Sequence, residues 1–315
     1  MKSKYLIRMN DPADWVRSVD EGTQQVNDFI LPIGPYEKNE MSDTIYHKGA
    51  AVEYHEHRVG FETFFVRDGR VECTLRGKRF ILEKGDIVHI PPYVAHGFVH
   101  LEEGTVWREL FQEINMAQKI QNKNLVKNNY PGLYEDPEFQ NVYQDDYRRI
   151  MRETPVPEDV PKESMHEVRA PGFAYSTYRF DGLTMRLVIG RWECNGVKEV
   201  WEAEMEKGLR IRWDAPHPDY ELYYICEGSV KFQILDEEFV AGPDCLVHIP
   251  PYAKHQMEVL EDARMYDCGC PGRLLDLFED LDSLKAYQPE KLKDAAFMKN
   301  FMYEHECWVT GCEKK

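Results

Sequence analysis

The residues best equipped for chemistry in this chain are histidines set close to a glutamate. The stretch "HEHRVGFETFFVRDG" places His55 and His57 one residue apart, and Glu62 follows five positions after the second. On a strand, residues two apart share a face, so both imidazoles can point into one interior. Glu62 adds a hard oxygen after a short turn. His96, which follows Pro91-Pro92, arrives from a later strand as a fourth donor. Three nitrogens and one carboxylate suit Fe(II), Mn(II), Ni(II) or Zn(II) and leave positions for substrate or water. The bland account of the same residues is a pair of partly buried strand histidines with local hydrogen bonds. Four donors at these spacings favour the metal.

The elements that must position these donors occur twice. "VHIPPYVAH" (88–96) returns as "VHIPPYAKH" (247–255), so His89 and His248 differ by 248 − 89 = 159. The pairs Glu62 and Glu221, Gly69 and Gly228, and His96 and His255 keep that offset. A tandem duplication follows, with two domains. Each repeat carries short β-type runs broken by turns, as in "ETFFVRDGRVECTLRGKRFIL" and "ELYYICEGSVKFQIL", which indicates antiparallel sandwiches or barrels. The Pro-Pro pairs mark loops. The expected boundaries are an arm over 1–30, a first barrel over 31–113, a linker over 114–165, a second barrel over 166–272 and a tail over 273–315. The linker is polar and partly helical in spacing. In the tail, Leu274, Leu277, Phe278, Leu281 and Leu284 predict one helix before Pro289 and a second after it.

Gly49, His55, His57, Glu62 and Gly69 resemble the first motif of the cupin superfamily at each anchored position, and Gly85, Pro91 and His96 resemble the second. Tyr93 stands where that motif usually has glycine, and His100 where it often has asparagine. The resemblance implies an all-β chain of two tandem jelly-roll barrels, a bicupin, with one divalent transition metal in the first. Iron is favoured over Mn, Ni or Zn. In the second half, His217, Glu221 and His255 form a reduced set, since Ala215 holds the first histidine's place; Asp214 or Asp219 could supplement it. A second metal site and a barrel retained for structure or dimer contacts stand level.

Other residues carry weaker signals. Alternation from Glu62 places Phe64 inside as an apolar wall. Tyr93 follows the Pro-Pro loop near the expected barrel mouth, where it could donate a proton. Of Trp107 and Arg108, one must face inward; Arg108, if inward, would hold a substrate carboxylate. His89 and His248 are read as hydrogen-bonded sheet residues, and the cysteines as free thiols.

Bulk properties narrow the partners. In 315 residues, 56 Asp and Glu outweigh 39 Lys and Arg, for a formal charge of −17. Such a surface repels nucleic acids and anionic membranes. "MKSKYLIRMNDPADW" has no secretory apolar core and no apolar run reaches about 18 residues, so the expectation is a soluble cytoplasmic protein with a small-molecule substrate, and a homodimer by resemblance. Function divides into three readings: an Fe(II) dioxygenase for a small acidic or phenolic molecule, placed first; a non-redox isomerase, lyase or decarboxylase; and a binding protein without turnover.

Overall fold

A computed structural model describes residues 3–8, 17–18, 24–30, 39–112, 116–146, 149–196, 198–216, 218, 220–269 and 273–314. The chain divides into two compact units, Asp11–Gly172 and a second that joins Met1–Asn10 to Phe173–Lys315.

The first unit stacks two sheets in a jelly roll. A six-stranded sheet runs in the order Arg149–Met151, Ala51–His57, His96–His100, Arg70–Leu75, Lys78–Glu83 and Glu158–Asp159. A seven-stranded sheet runs Val168–Arg169, Ile87–Ile90, Phe61–Asp68, Thr105–Gln112, Asn39–Tyr46, Gln24–Ile30 and Arg17–Ser18. The pairings are antiparallel except that of Glu158–Asp159 with Lys78–Glu83. Alternation decides the inner surface: Phe64, Val66, Val71, Leu75, Phe98, Trp107 and Phe111 interdigitate between the sheets. Each such side chain contributes roughly 1.5–3 kcal/mol on leaving water.

The residues expected to form a linker are largely part of this unit. Met116–Asn129 and Pro137–Asp146 are helical. The strands Arg149–Met151 and Glu158–Asp159, however, extend the six-stranded sheet at both edges. Residues 6–8, expected in a free arm, pair instead with Cys245–Ile249 of the second unit. Three-residue strands leave no period in a sequence, and distant pairing sets their register.

The second unit repeats the plan around two long strands, Glu221–Ile234 and His255–Asp267, paired from Tyr223 against Asp267 to Ile234 against His255. Register shifts near Gly228 bend the first of them. The repeated glycines have a physical reason. Gly69 and Gly228 adopt φ of +81° and +77°, and a Cβ would lie 2.6 Å from Thr105 Oγ1 and 2.1 Å from the Asp262 carbonyl oxygen. Only glycine tolerates both the conformation and the approach. The two tail helices form as the spacing predicts, over Leu274–Tyr287 and Ala295–Glu304. Asp294 caps the second by accepting from the amides of Ala296 and Phe297. Leu277, Phe278 and Leu281 pack on the barrel core.

Candidate metal centre

His55 and His57 lie on Ala51–His57, Glu62 on Phe61–Asp68 and His96 at the start of His96–His100. His96 sits directly across from His55 in the ladder. The four side chains are buried, and their ligating atoms all fall within 4.8 Å of one another. The Nε2 atoms of His55 and His57 are 3.1 Å apart. Glu62 brings Oε1 to 3.3 Å from His57 Nε2 and Oε2 to 3.0 Å from His96 Nε2. Donors about 2.1 Å from a common ion and at right angles to one another are about 3.0 Å apart, so these separations fit adjacent positions around one metal. A cation among them would satisfy the converging lone pairs together with the Glu62 carboxylate.

Backbone contacts fix the imidazoles in that orientation. His55 donates from Nδ1 to the Glu53 carbonyl at 2.7 Å, and His96 from Nδ1 to the Val94 carbonyl at 2.9 Å. Each contact puts the proton on Nδ1 and leaves Nε2 free to ligate. Burial, the His96 ring and the Arg149 guanidinium hold His55 well below its ordinary pKa, hence neutral. Burial opposes ionisation of Glu62, yet His57 and His96 beside it outweigh that and keep the carboxyl well below its usual range. Arg149 comes from the stretch expected to be a linker, with its guanidinium 3.2 Å from His55 Nδ1. Nothing in the local sequence signals that placement.

The remaining expected residues divide. Phe64 faces the interior, its ring 4.5 Å from Trp107 and 5.2 Å from Phe98. Arg108 does not point toward the four-residue cluster. Trp107 takes the inward place, and Arg108, on the opposite face, is fully buried in a bidentate pair with Asp43 at 2.6 and 2.7 Å. It is neither a substrate arginine nor a solvent-facing one. Tyr93 turns outward, 65% exposed, with φ +62°, and only its amide is engaged, donating to the His57 carbonyl. Its left-handed backbone accounts for the glycine usual at that place. His89 is buried and shares a 2.8 Å hydrogen bond with Thr63 Oγ1, as expected. His100 is pushed down to about 3 by burial and stacks 3.6 Å from the ring of Tyr46.

One interior residue went unread in the sequence. Glu109 lies between Trp107 and Phe111 on the inward face of its strand, accepting from Tyr46 Oη at 3.0 Å and Ser42 Oγ at 3.4 Å. Burial raises it from 4.5 to about 7. The alternation in "TVWRELFQ" contains that placement.

In the second unit, His217 lies outside the described residues. Glu221 is buried and accepts from Tyr223 Oη at 2.9 Å. His255 donates from Nδ1 to the Ala253 carbonyl at 2.9 Å, as His96 does to Val94, but its ring stacks on Trp213 at 4.3 Å. Among the described residues, only the first barrel gathers three or more potential ligands. No helix among them is long and apolar enough to cross a membrane.

Comparison with known proteins agrees with this arrangement. The Cupin domain family profile matches residues 43–107, and that of the AraC-like ligand binding domain matches 206–307. An uncharacterised protein of Methanocaldococcus jannaschii is 30% identical over 59 residues, which is 19% of this chain and 47% of that protein. The chain thus spans about half the length of the curated relative it matches. Among solved structures, the Lactobacillus farciminis oxalate decarboxylase in complex with formate is similar over 86% of this chain and 87% of that one, with TM-score 0.52 and 16% identity. A variant of the Bacillus subtilis oxalate decarboxylase is similar over 85% and 77%, with TM-score 0.50 and 15% identity. At these identities the likeness concerns the fold. Two barrels on one repeated plan, the first matching the Cupin domain profile, give this chain the fold of a bicupin.

Proposed function

We propose that the first barrel binds one divalent transition metal through His55, His57, Glu62 and His96, and that the chain is an enzyme for a small carboxylate-bearing molecule. The observation that carries this is the convergence of the four ligands within 4.8 Å. A bound ion would supply Lewis acidity and open positions at which a carboxylate can chelate. His55 and His96 hold their ligating nitrogens by backbone contacts, Glu62 neutralises part of the ion's charge, and Arg149 adds positive charge behind His55. Phe64, Phe98 and Phe111 wall the interior beside them and exclude water.

Within this class a non-oxidative lyase, above all a decarboxylase, stands ahead of the Fe(II) dioxygenase that the sequence alone placed first. Both solved bicupin neighbours named above are oxalate decarboxylases, and the ligand set serves either chemistry. In a decarboxylation the C–C bond breaks, carbon dioxide leaves and the electron pair takes up a proton, so no net oxidant is consumed. Metal per chain in wild type and His57→Ala tests the site: about one ion, lost in the variant, is expected. Release of carbon dioxide from a panel of small di- and keto-carboxylates, followed together with dissolved oxygen, tests the chemistry. Stoichiometric oxygen uptake would overturn the lyase reading in favour of the dioxygenase. No retained ion after reloading with Mn, Fe, Ni and Zn would sink the enzyme altogether.

A further inference from the structure

The second barrel holds a half-open apolar pocket of about 220 Å³. The ladder registers show how the repeat opened it. Met257, two residues after His255, replaces Phe98, two after His96. Trp107 opposes Val66 in the first barrel, and Met265 opposes Ile225 in the second, where 225 − 66 is again the repeat offset of 159. Two rings that fill the first interior, Phe98 and Trp107, thus give way to two flexible thioethers that line the pocket. The tail helices roof the space with Leu277, Phe278 and Met302.

Among the described residues, its charged lining groups are all acidic. Glu221, Asp267 and Glu306 line it, with Tyr223 donating to Glu221, the Gly269 amide donating to Asp267, and Glu306 paired with Arg273. Asp267 occupies the register position of Glu109, opposite Tyr223 as Glu109 is opposite Phe64. Among the described residues, no lysine, arginine or histidine lines the space. A cavity of about 150 Å³ already accommodates benzene. Methionine walls suit aromatic rings through sulfur–ring contacts.

From the opened interior and the acidic groups that line it, we infer that the second barrel binds a single-ring apolar molecule carrying an amine or hydroxyl donor. It is a site of different chemistry from the first barrel, and it stands whether or not that barrel is catalytic. Acidic groups and a tyrosine exclude carboxylates from it and hold a donor.

Calorimetric titration of the full chain, in chelator so that the first barrel holds no ion, tests this with phenethylamine and its near-isostere phenylacetate. Phenethylamine is expected to bind saturably, at least tenfold more tightly than phenylacetate. Glu221→Gln should reduce that preference several-fold. Met265→Trp, which restores the ring of the first barrel, should abolish binding. Phenylacetate binding as tightly as the amine, or no saturable heat with either probe, would overturn the inference. If Met265→Trp fails to fold, Glu221→Gln still decides it, because an unchanged preference in that variant also overturns it.

Discussion

Replacing Glu109 by glutamine should stabilise the first unit, and only at high pH. Its carboxyl lies inside the barrel, where burial lifts it from 4.5 to about 7. Between those values the folded protein keeps a proton that the unfolded chain has released. Stability from this group is therefore complete below pH 4.5 and is lost as pH rises through 7. At 1.36 kcal/mol per tenfold change in proton affinity, the loss is about 3 kcal/mol once Glu109 is ionised. Glutamine keeps an oxygen for the Tyr46 hydroxyl and a polar group for Ser42, but carries no charge to bury. For a unit of this length, roughly 2–4 °C accompany each kcal/mol. The melting temperature of Glu109→Gln should thus match wild type near pH 4 and exceed it by about 6–12 °C above pH 8. Thermal melts in chelator from pH 4 to 8.5 measure the gap, chelation keeping a bound ion from relieving the repulsion by Glu62. A gap independent of pH would refute the argument, and so would one that grows toward acid.

Other substitutions probe the assignments more directly. Asp43→Asn strands Arg67 and Arg108, which both bond that carboxylate, so denaturant unfolding should show a loss of about 3–5 kcal/mol with metal content unchanged. Tyr93→Gly relieves a left-handed backbone at an exposed site and should leave turnover within twofold while changing stability by less than about 1 kcal/mol; a tenfold fall in rate would return Tyr93 to the chemistry. Gly228→Ala forces a Cβ to 2.1 Å from a carbonyl oxygen and should cost more than about 3 kcal/mol, seen as a lower melting transition of the second unit than of the first.

The four ligands were legible because strand alternation and the Pro-Pro loop constrain them locally. Phe64 followed from the same alternation. Glu109 was equally accessible, since Trp107 and Phe111 inside leave it nowhere else to point. Arg108 was not, because its partner Asp43 lies on a strand 65 residues earlier and alternation states a face without saying what buries it. Arg149 depends on a three-residue strand whose register is set by His55 and His57 across the ladder. In the second half, Glu221 and His255 kept their motif positions, which left a metal site and a structural barrel level, and motifs carry no volume. The shift from Phe98 and Trp107 to Met257 and Met265 acquires meaning only once the ladders align them.

The pairing of Leu6–Arg8 with residues 245–247 has a consequence for how the chain is made. At about 5–20 residues per second, a ribosome finishes the receiving strand on the order of tens of seconds after the donor strand has emerged. Until then the donor's backbone groups have no native ladder, while the whole first barrel can already assemble. The second barrel, synthesised after the first, must recover a stretch of chain made before either to complete its edge. Synthesis that stalls before residue 245 leaves that early strand unclaimed and free to pair with a neighbouring nascent copy. A truncated product would in this way betray itself by aggregation, whatever the soundness of its first barrel.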